Sequence, residues 1–86
     1  MTIMGMAKPS PHHSGDPNLV ALGAGIRRRR KALGLSQEAL ALATDLDRSY
    51  VGGIERGEHN FALMNCLKIA KTLNLSASQL LAKAKL

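Results

Sequence analysis

Residues 35–58, LSQEALALATDLDRSYVGGIERGE, constrain the fold more than any other stretch of this chain. They read as two short helices joined by a tight corner and closed by a helix stop. Ser36 is a good N-cap, because its hydroxyl accepts a hydrogen bond from a helix-start amide that otherwise lacks a partner. Gln37 takes the first helical position, and Leu40, Ala41 and Ala43 give a small apolar face. Thr44 and Asp45 end this helix; Asp tolerates the left-handed backbone that a sharp corner needs. Asp47 is a second N-cap, so a new helix starts at Arg48, with Val51 and Ile54 three apart on its apolar face. Gly57, just past Arg56 and followed by Glu58, is the expected C-terminal stop. Helices meeting at roughly 90–120° over a short turn need a small residue at the crossing, and Ala41, with Leu46 and Val51, answers that need.

The remaining chain divides into zones. Residues 1–15, MTIMGMAKPSPHHSG, hold two prolines, two glycines and no apolar periodicity, which predicts a flexible N-terminal arm. Asp16 caps a first helix that has Pro17 at its first position, where a missing amide does no harm. Its inward stripe is Leu19, Leu22, Ile26 and Leu33, and Gly34 ends it. Leu63, Leu67, Ala70 and Leu73 pattern a fourth helix, with Ile69 widening the stripe and Asn74 as a left-handed stop. Ser76 with Gln79 is a capping-box signature for a fifth. No segment reads as a strand or an internal repeat. The expectation is an all-α domain over 16–86, with helices at about 17–33, 37–44, 48–56, 62–73 and 77–85.

Composition narrows the function. Eighty-six residues make one small domain with a core just large enough to stand alone. Only Tyr50 and Phe61 are aromatic, so aliphatic side chains must fill that core. Twelve basic against six acidic residues leave a net charge of +6, which favours a polyanionic partner. The single Cys66 excludes an internal disulfide and suits a reducing compartment; packed among apolar residues, it is a small core or interface side chain. There is no apolar run of roughly 18 residues and no signal-peptide pattern, so a cytoplasmic protein is expected, with no membrane partner. No acid/base pair or nucleophile–base constellation points to an enzyme. His59 with the arm's His12 and His13 lacks zinc-like spacing, so neither a metal nor any other cofactor is expected.

The strings GIRRRRKALG, GLSQEALA, YVGGIERGE and LKIAKTLNLSASQLL, in that order and spacing, resemble the Cro/phage-repressor (XRE) helix-turn-helix family from about Asp16 to Leu86. The resemblance implies a compact five-helix, lambda-repressor-like domain that binds double-stranded DNA, with the third helix reading bases. Two departures stand out. Asp45 occupies a corner position usually held by Gly, and Gly52 and Gly53 occupy outward recognition-helix positions where relatives often carry longer polar side chains.

Site residues follow from the two readings together. Arg27 to Lys31 are consecutive and point around about one and a half helical turns, so they cannot all face one phosphate backbone. The resemblance implies that Arg30 pairs with Glu55 as a structural ion pair. Arg29 lies on the apolar stripe, its stem packed and its head in water; Arg27, Arg28 and Lys31 read as ordinary solvated charges. Ser36 and Gln37, at a helix start, form a natural phosphate site. Arg48 and Ser49 are the first side chains of the recognition helix and are expected at base edges, although phosphate competes for Arg48. Gly52 and Gly53 complete the base-facing set; they imply either close approach to the groove floor or reliance on DNA shape or the arm. Tyr50 is placed near the DNA backbone or in packing, and Arg56, His59 and Asn60 are placed against phosphate in the following loop. In the arm, disorder without function is the preferred reading for Lys8, with a contact along the DNA as the alternative. Met64, Leu75, Leu80, Leu81 and Leu86 exceed what the core obviously needs and are assigned to a homodimer interface, with plain core as the competing role.

These expectations converge on a transcriptional regulator occupying a pseudo-palindromic operator, as a dimeric repressor or autoregulator. Repression needs only blocked access; activation needs a polymerase contact. Within the family a restriction-modification controller or phage-type switch fits, and so does an antitoxin that also binds a toxin. An adaptor that has lost DNA binding is the alternative from another class.

Overall fold

The structure, a computed structural model, describes residues 10–86; the Lys8 expectation and the first nine residues of the arm lie outside them. The helices are α1 Pro17–Ala32, α2 Gln37–Thr44, α3 Arg48–Glu55, α4 Leu63–Thr72 and α5 Ala77–Lys83, and no strand occurs among the described residues. The all-α, five-helix class read from the sequence is what the chain adopts. Among the described residues no helix is long and apolar enough to cross a membrane.

Local chemistry explains most of the boundaries. The Asp16 carboxylate accepts from the Asn18 amide at 2.8 Å, and the Ser36 hydroxyl accepts from the Ala39 amide at 2.9 Å. Ser76 and Gln79 form the full reciprocal capping box. Asp45 does adopt the left-handed conformation, with φ 57°. Asp47 stands at the N-cap of α3, but its side chain caps no amide and accepts a hydrogen bond from the Ser49 hydroxyl instead.

Two corners share one construction. In both ALGLS (32–36) and TLNLS (72–76) a left-handed residue, Gly34 or Asn74, reverses the chain. The next leucine amide then reaches back six-to-one, Leu35 to the Arg30 carbonyl at 3.0 Å and Leu75 to that of Ala70 at 2.9 Å. A serine immediately caps the next helix. Five residues thus both end one helix and start another.

The core gathers Ile26, Leu40, Val51, Ile54, Ile69, Leu73 and Leu80, none more than 1% exposed. Two readings require correction. Leu80 is a core residue, shut off from any partner by its own chain. On α4 the inward side is Cys66, Ile69, Ala70 and Leu73, while Leu63 and Leu67 are 70% and 41% exposed. Apolar residues occupy two sides of this helix, and the tertiary contact with α2 and α5 selects the side that carries Ile69. Burial pushes the Cys66 thiol pKa up.

The arm also needs dividing. Ser10 to Gly15 form a turn docked on the loop after α3. The Ser10 amide donates to the Glu58 carbonyl, the Gly15 amide to that of Gly57, and the Asn60 amide to the Ser10 hydroxyl, each at 2.8 Å. That segment is a strap, tied through backbone groups that composition does not reveal.

Gly23, absent from the sequence reading, sets the approach of α1 to α3. A Cβ there would lie 2.3 Å from the Ile54 carbonyl oxygen and 2.6 Å from that of Glu55, both rigid backbone atoms. Gly23→Ala is therefore expected to lower the unfolding free energy by about 1–3 kcal/mol despite alanine's better helix propensity, as measured by urea denaturation.

Candidate nucleic-acid interface

The exposed edge of α2 and α3 is organised by a line of hydrogen bonds that begins in the interior. Arg30, 7% exposed, donates through Nε to Glu55 Oε2 at 2.6 Å and through Nη2 to Oε1 at 3.0 Å. Its Nη1 donates to the Leu35 carbonyl at 2.9 Å, so one guanidinium ties α1 to both α3 and the corner before α2. The fork geometry of arginine suits such a bidentate pair. The carboxylate in turn holds the guanidinium in its charged form, raising its pKa.

From Glu55 the line runs outward. Oε1 also accepts from Gln37 Nε2 at 3.0 Å, and Gln37 Oε1 accepts from Arg48 Nη1 at 2.9 Å. Gln37 thus spends both ends of its side chain on the protein. The free donors at the start of α2 belong to its backbone: Ser36 caps only the Ala39 amide, which leaves the Gln37 and Glu38 amides without an intrahelical acceptor. Arg48 and Ser49 are exposed at the start of α3, and the Arg48 guanidinium is already oriented.

The glycine pair is placed differently from expectation. Gly52 and Gly53 are buried, not outward-facing. A Cβ on Gly52 would sit 3.1 Å from an Arg56 guanidinium nitrogen, and one on Gly53 only 2.4 Å from His59 Nε2. Gly53 is therefore the socket for a histidine ring. His59, assigned to phosphate from the sequence, is only 5% exposed; its ring packs on Gly53 and lies 4.7 Å from the half-buried Tyr50 ring, at 52°. Its assignment is corrected to packing, and Tyr50 is its partner. Gly53 is removed from the base-facing set for the same reason, and Gly52 lies beneath the Arg56 and Gln37 side chains at the floor of a shallow cleft.

Around that plug the loop remains polar. Arg56 donates to both Glu58 oxygens, at 2.8 and 3.2 Å, and holds that carboxyl below its ordinary pKa. The Arg56 side chain is 62% exposed, so the pair is open to competition from a phosphate. Asn60 presents an exposed side chain while its amide is held by Ser10. Arg29, expected to end in water, donates from Nε to the Leu73 carbonyl at 2.9 Å and closes the end of α4. Of the interface assignments, Met64 and Leu86 are 64% and 50% exposed, Leu75 and Leu81 are half-buried against the core, and Leu80 is internal.

Burial lowers the His59 pKa, a shift that the Glu58 carboxylate opposes and Arg56 reinforces. The unfolded chain then takes up a proton on this ring at a higher pH than the folded one. Its contribution to stability is complete above the ordinary value of about 6.5 and is lost as pH falls through the folded value. Urea denaturation across pH 7.5 to 4.5 should show this decline in the native protein; His59→Gln should flatten that component. An unchanged pH slope in the variant would refute the assignment.

Comparison with known proteins follows the same outline. Residues 26–80 match the helix-turn-helix family. The control protein C.SmaI of Serratia marcescens is 40% identical over 62 residues, which cover 72% of this chain and 74% of that protein. The restriction-modification controller protein C.AhdI of Aeromonas hydrophila superposes with a TM-score of 0.71 at 51% identity, covering 73% of this chain and 96% of the other. SinR, a master regulator for biofilm formation solved in complex with DNA, is 31% identical with a TM-score of 0.66, covering 70% and 97%.

Proposed function

This chain belongs to the XRE-type helix-turn-helix family of DNA-binding transcription regulators, and on that premise we propose that it is a dimeric controller of the restriction-modification kind. It occupies a pseudo-palindromic operator upstream of its own gene and regulates by occupancy. The observation that carries the reading is Arg48, exposed at the start of α3 with its guanidinium held by Gln37 at 2.9 Å. A side chain oriented before binding loses less rotamer freedom on contact. Arginine presented to guanine in two-point fashion contributes about 1–3 kcal/mol of discrimination. Similarity to C.SmaI and C.AhdI favours the controller role over the phage-switch and antitoxin roles. The adaptor alternative loses part of its support, because Gly53 is the socket for the His59 ring and not a gap in a reading face.

The contact roles divide accordingly. Arg48 reads a base and Ser49 contributes a neighbouring hydroxyl. The amides at Gln37, with Ser36 beside them, seat a phosphate, and Arg56 and Asn60 grip the backbone from the following loop. Dimerisation uses the apolar side of α4, where Leu63, Met64 and Leu67 are exposed, together with Leu86. Met64 and Leu86 stay from the interface assigned from the sequence, and Leu63 and Leu67 take the place of the internal Leu80.

Binding to duplexes carrying single substitutions across the upstream region tests the base reader. Arg48→Ala should flatten the preference at one base pair per half-site, by about 1–3 kcal/mol, and leave the others intact. An unchanged preference there removes the assignment. Sedimentation equilibrium tests the dimer: Leu67→Lys should shift the protein to monomer and weaken operator binding about a hundredfold or more, through lost effective concentration. A variant that stays dimeric would place the interface elsewhere.

A further inference from the structure

On α1, Val20, Ala24, Arg27 and Lys31 follow at spacings of four, three and four and share one side of the helix. That side runs along the end of α3. At its start Val20 lies against Gly57, whose Cβ would meet the Val20 Cα at 2.7 Å. Further on, Ala24, Arg27, Arg28 and Lys31 line a shallow cleft with Glu55. A second cleft, between Arg27, Arg56, Gln37 and Gly52, shares Arg27 and Glu55 with the first. The two form one groove that opens at the start of α2.

Charge along this groove is one-sided. Glu55 is its only carboxylate, and it is already satisfied by Arg30 and Gln37. Arg27, Arg28 and Lys31 are exposed and make no ion pair among the described residues. Uncompensated like charges on neighbouring turns repel one another unless an external anion answers them. The groove is also open, because Ala24 and Gly52 put no long side chain into it.

We propose that this face of α1 is a seat for the DNA sugar-phosphate backbone, adjoining the phosphate site at the start of α2 and separate from the base-reading end of α3. It rests on the DNA-binding reading of the preceding section but not on any operator. Arg27 and Lys31 supply the point charges and Arg28 borders the groove on its outer side. The contact is sequence-independent, since charge on a backbone carries no base information. It extends the footprint of each protomer along the duplex and steepens the response to salt.

The test uses the full chain and a random-sequence duplex of about thirty base pairs, with affinity read by fluorescence anisotropy across a salt series. Each phosphate contact contributes about 0.9 to the slope of log affinity against log salt. Arg27→Gln with Lys31→Gln should therefore reduce the slope by about 2 for each bound protomer, about 4 for a dimer. Arg27→Lys with Lys31→Arg, which keeps the charges, should preserve it. Lys83→Gln with Lys85→Gln removes the same charge from the α5 end and should leave the slope unchanged. Amine acetylation gives a direct readout: duplex should protect Lys31 and leave Lys83 and Lys85 as reactive as in the free protein. Equal slope losses in the two Gln pairs would reduce the effect to net charge and overturn the seat. An unaltered slope in the first pair, or an unprotected Lys31, overturns it as well. A missing operator preference with the slope difference intact would strike the controller reading alone.

Discussion

The pose of the recognition helix depends on one buried ion pair. Arg30 and Glu55 are each 7% exposed, and both carboxylate oxygens accept from the same guanidinium. Such a pair adds little net stability, because desolvating two charges offsets most of their attraction. Losing one partner is another matter, since it strands a charge in the interior at about 3–5 kcal/mol. The pair therefore acts as a register. Through Leu35 it fixes the entry to α2, through Glu55 the end of α3, and through Gln37 the direction of Arg48.

What the sequence made legible was mostly local. Caps, left-handed stops and the corner at Asp45 depend on residues a few positions apart, and their chemistry is printed in that spacing. The Arg30–Glu55 pair spans 25 residues and was reachable only through the family pattern. Steric complementarity had no such signal. Nothing in the order Gly53, His59 says that a ring needs the space a Cβ would fill, so the glycines read as an empty reading face and the histidine as a phosphate contact. The α4 misreading has a different cause. Leu63 and Leu67 continue a helical period as well as Cys66 and Ile69 do, and periodicity alone does not say which side meets the core. The strap at Ser10–Gly15 escaped because its bonds join backbone groups and one hydroxyl, which a proline-containing segment supplies as readily as any other.

Together these features make the loop after α3 a built object and not a flexible connector. Ser10 holds its far side, Gly57 lies on Val20 beneath it, and His59 plugs it onto Gly53 and Tyr50. The match to the helix-turn-helix family begins at residue 26, downstream of the strap. The strap steadies the loop from the side opposite the core.

Gln37 carries a consequence for how such a reader can diversify. Its carboxamide is polarised by what lies behind it: the nitrogen must donate to Glu55, which leaves only the oxygen to face residue 48. A glutamate at 37 would oppose Glu55, and a lysine would oppose Arg48. With the amide so oriented, position 48 is restricted to hydrogen-bond donors, because an aspartate or glutamate there would confront a carbonyl oxygen. The interior of the protein thus limits the vocabulary of its outer surface. On the proposed base contact by Arg48, this scaffold favours bases that offer acceptors in the major groove, and a lineage that came to read a donor would have to rewrite Gln37 and Glu55 before residue 48.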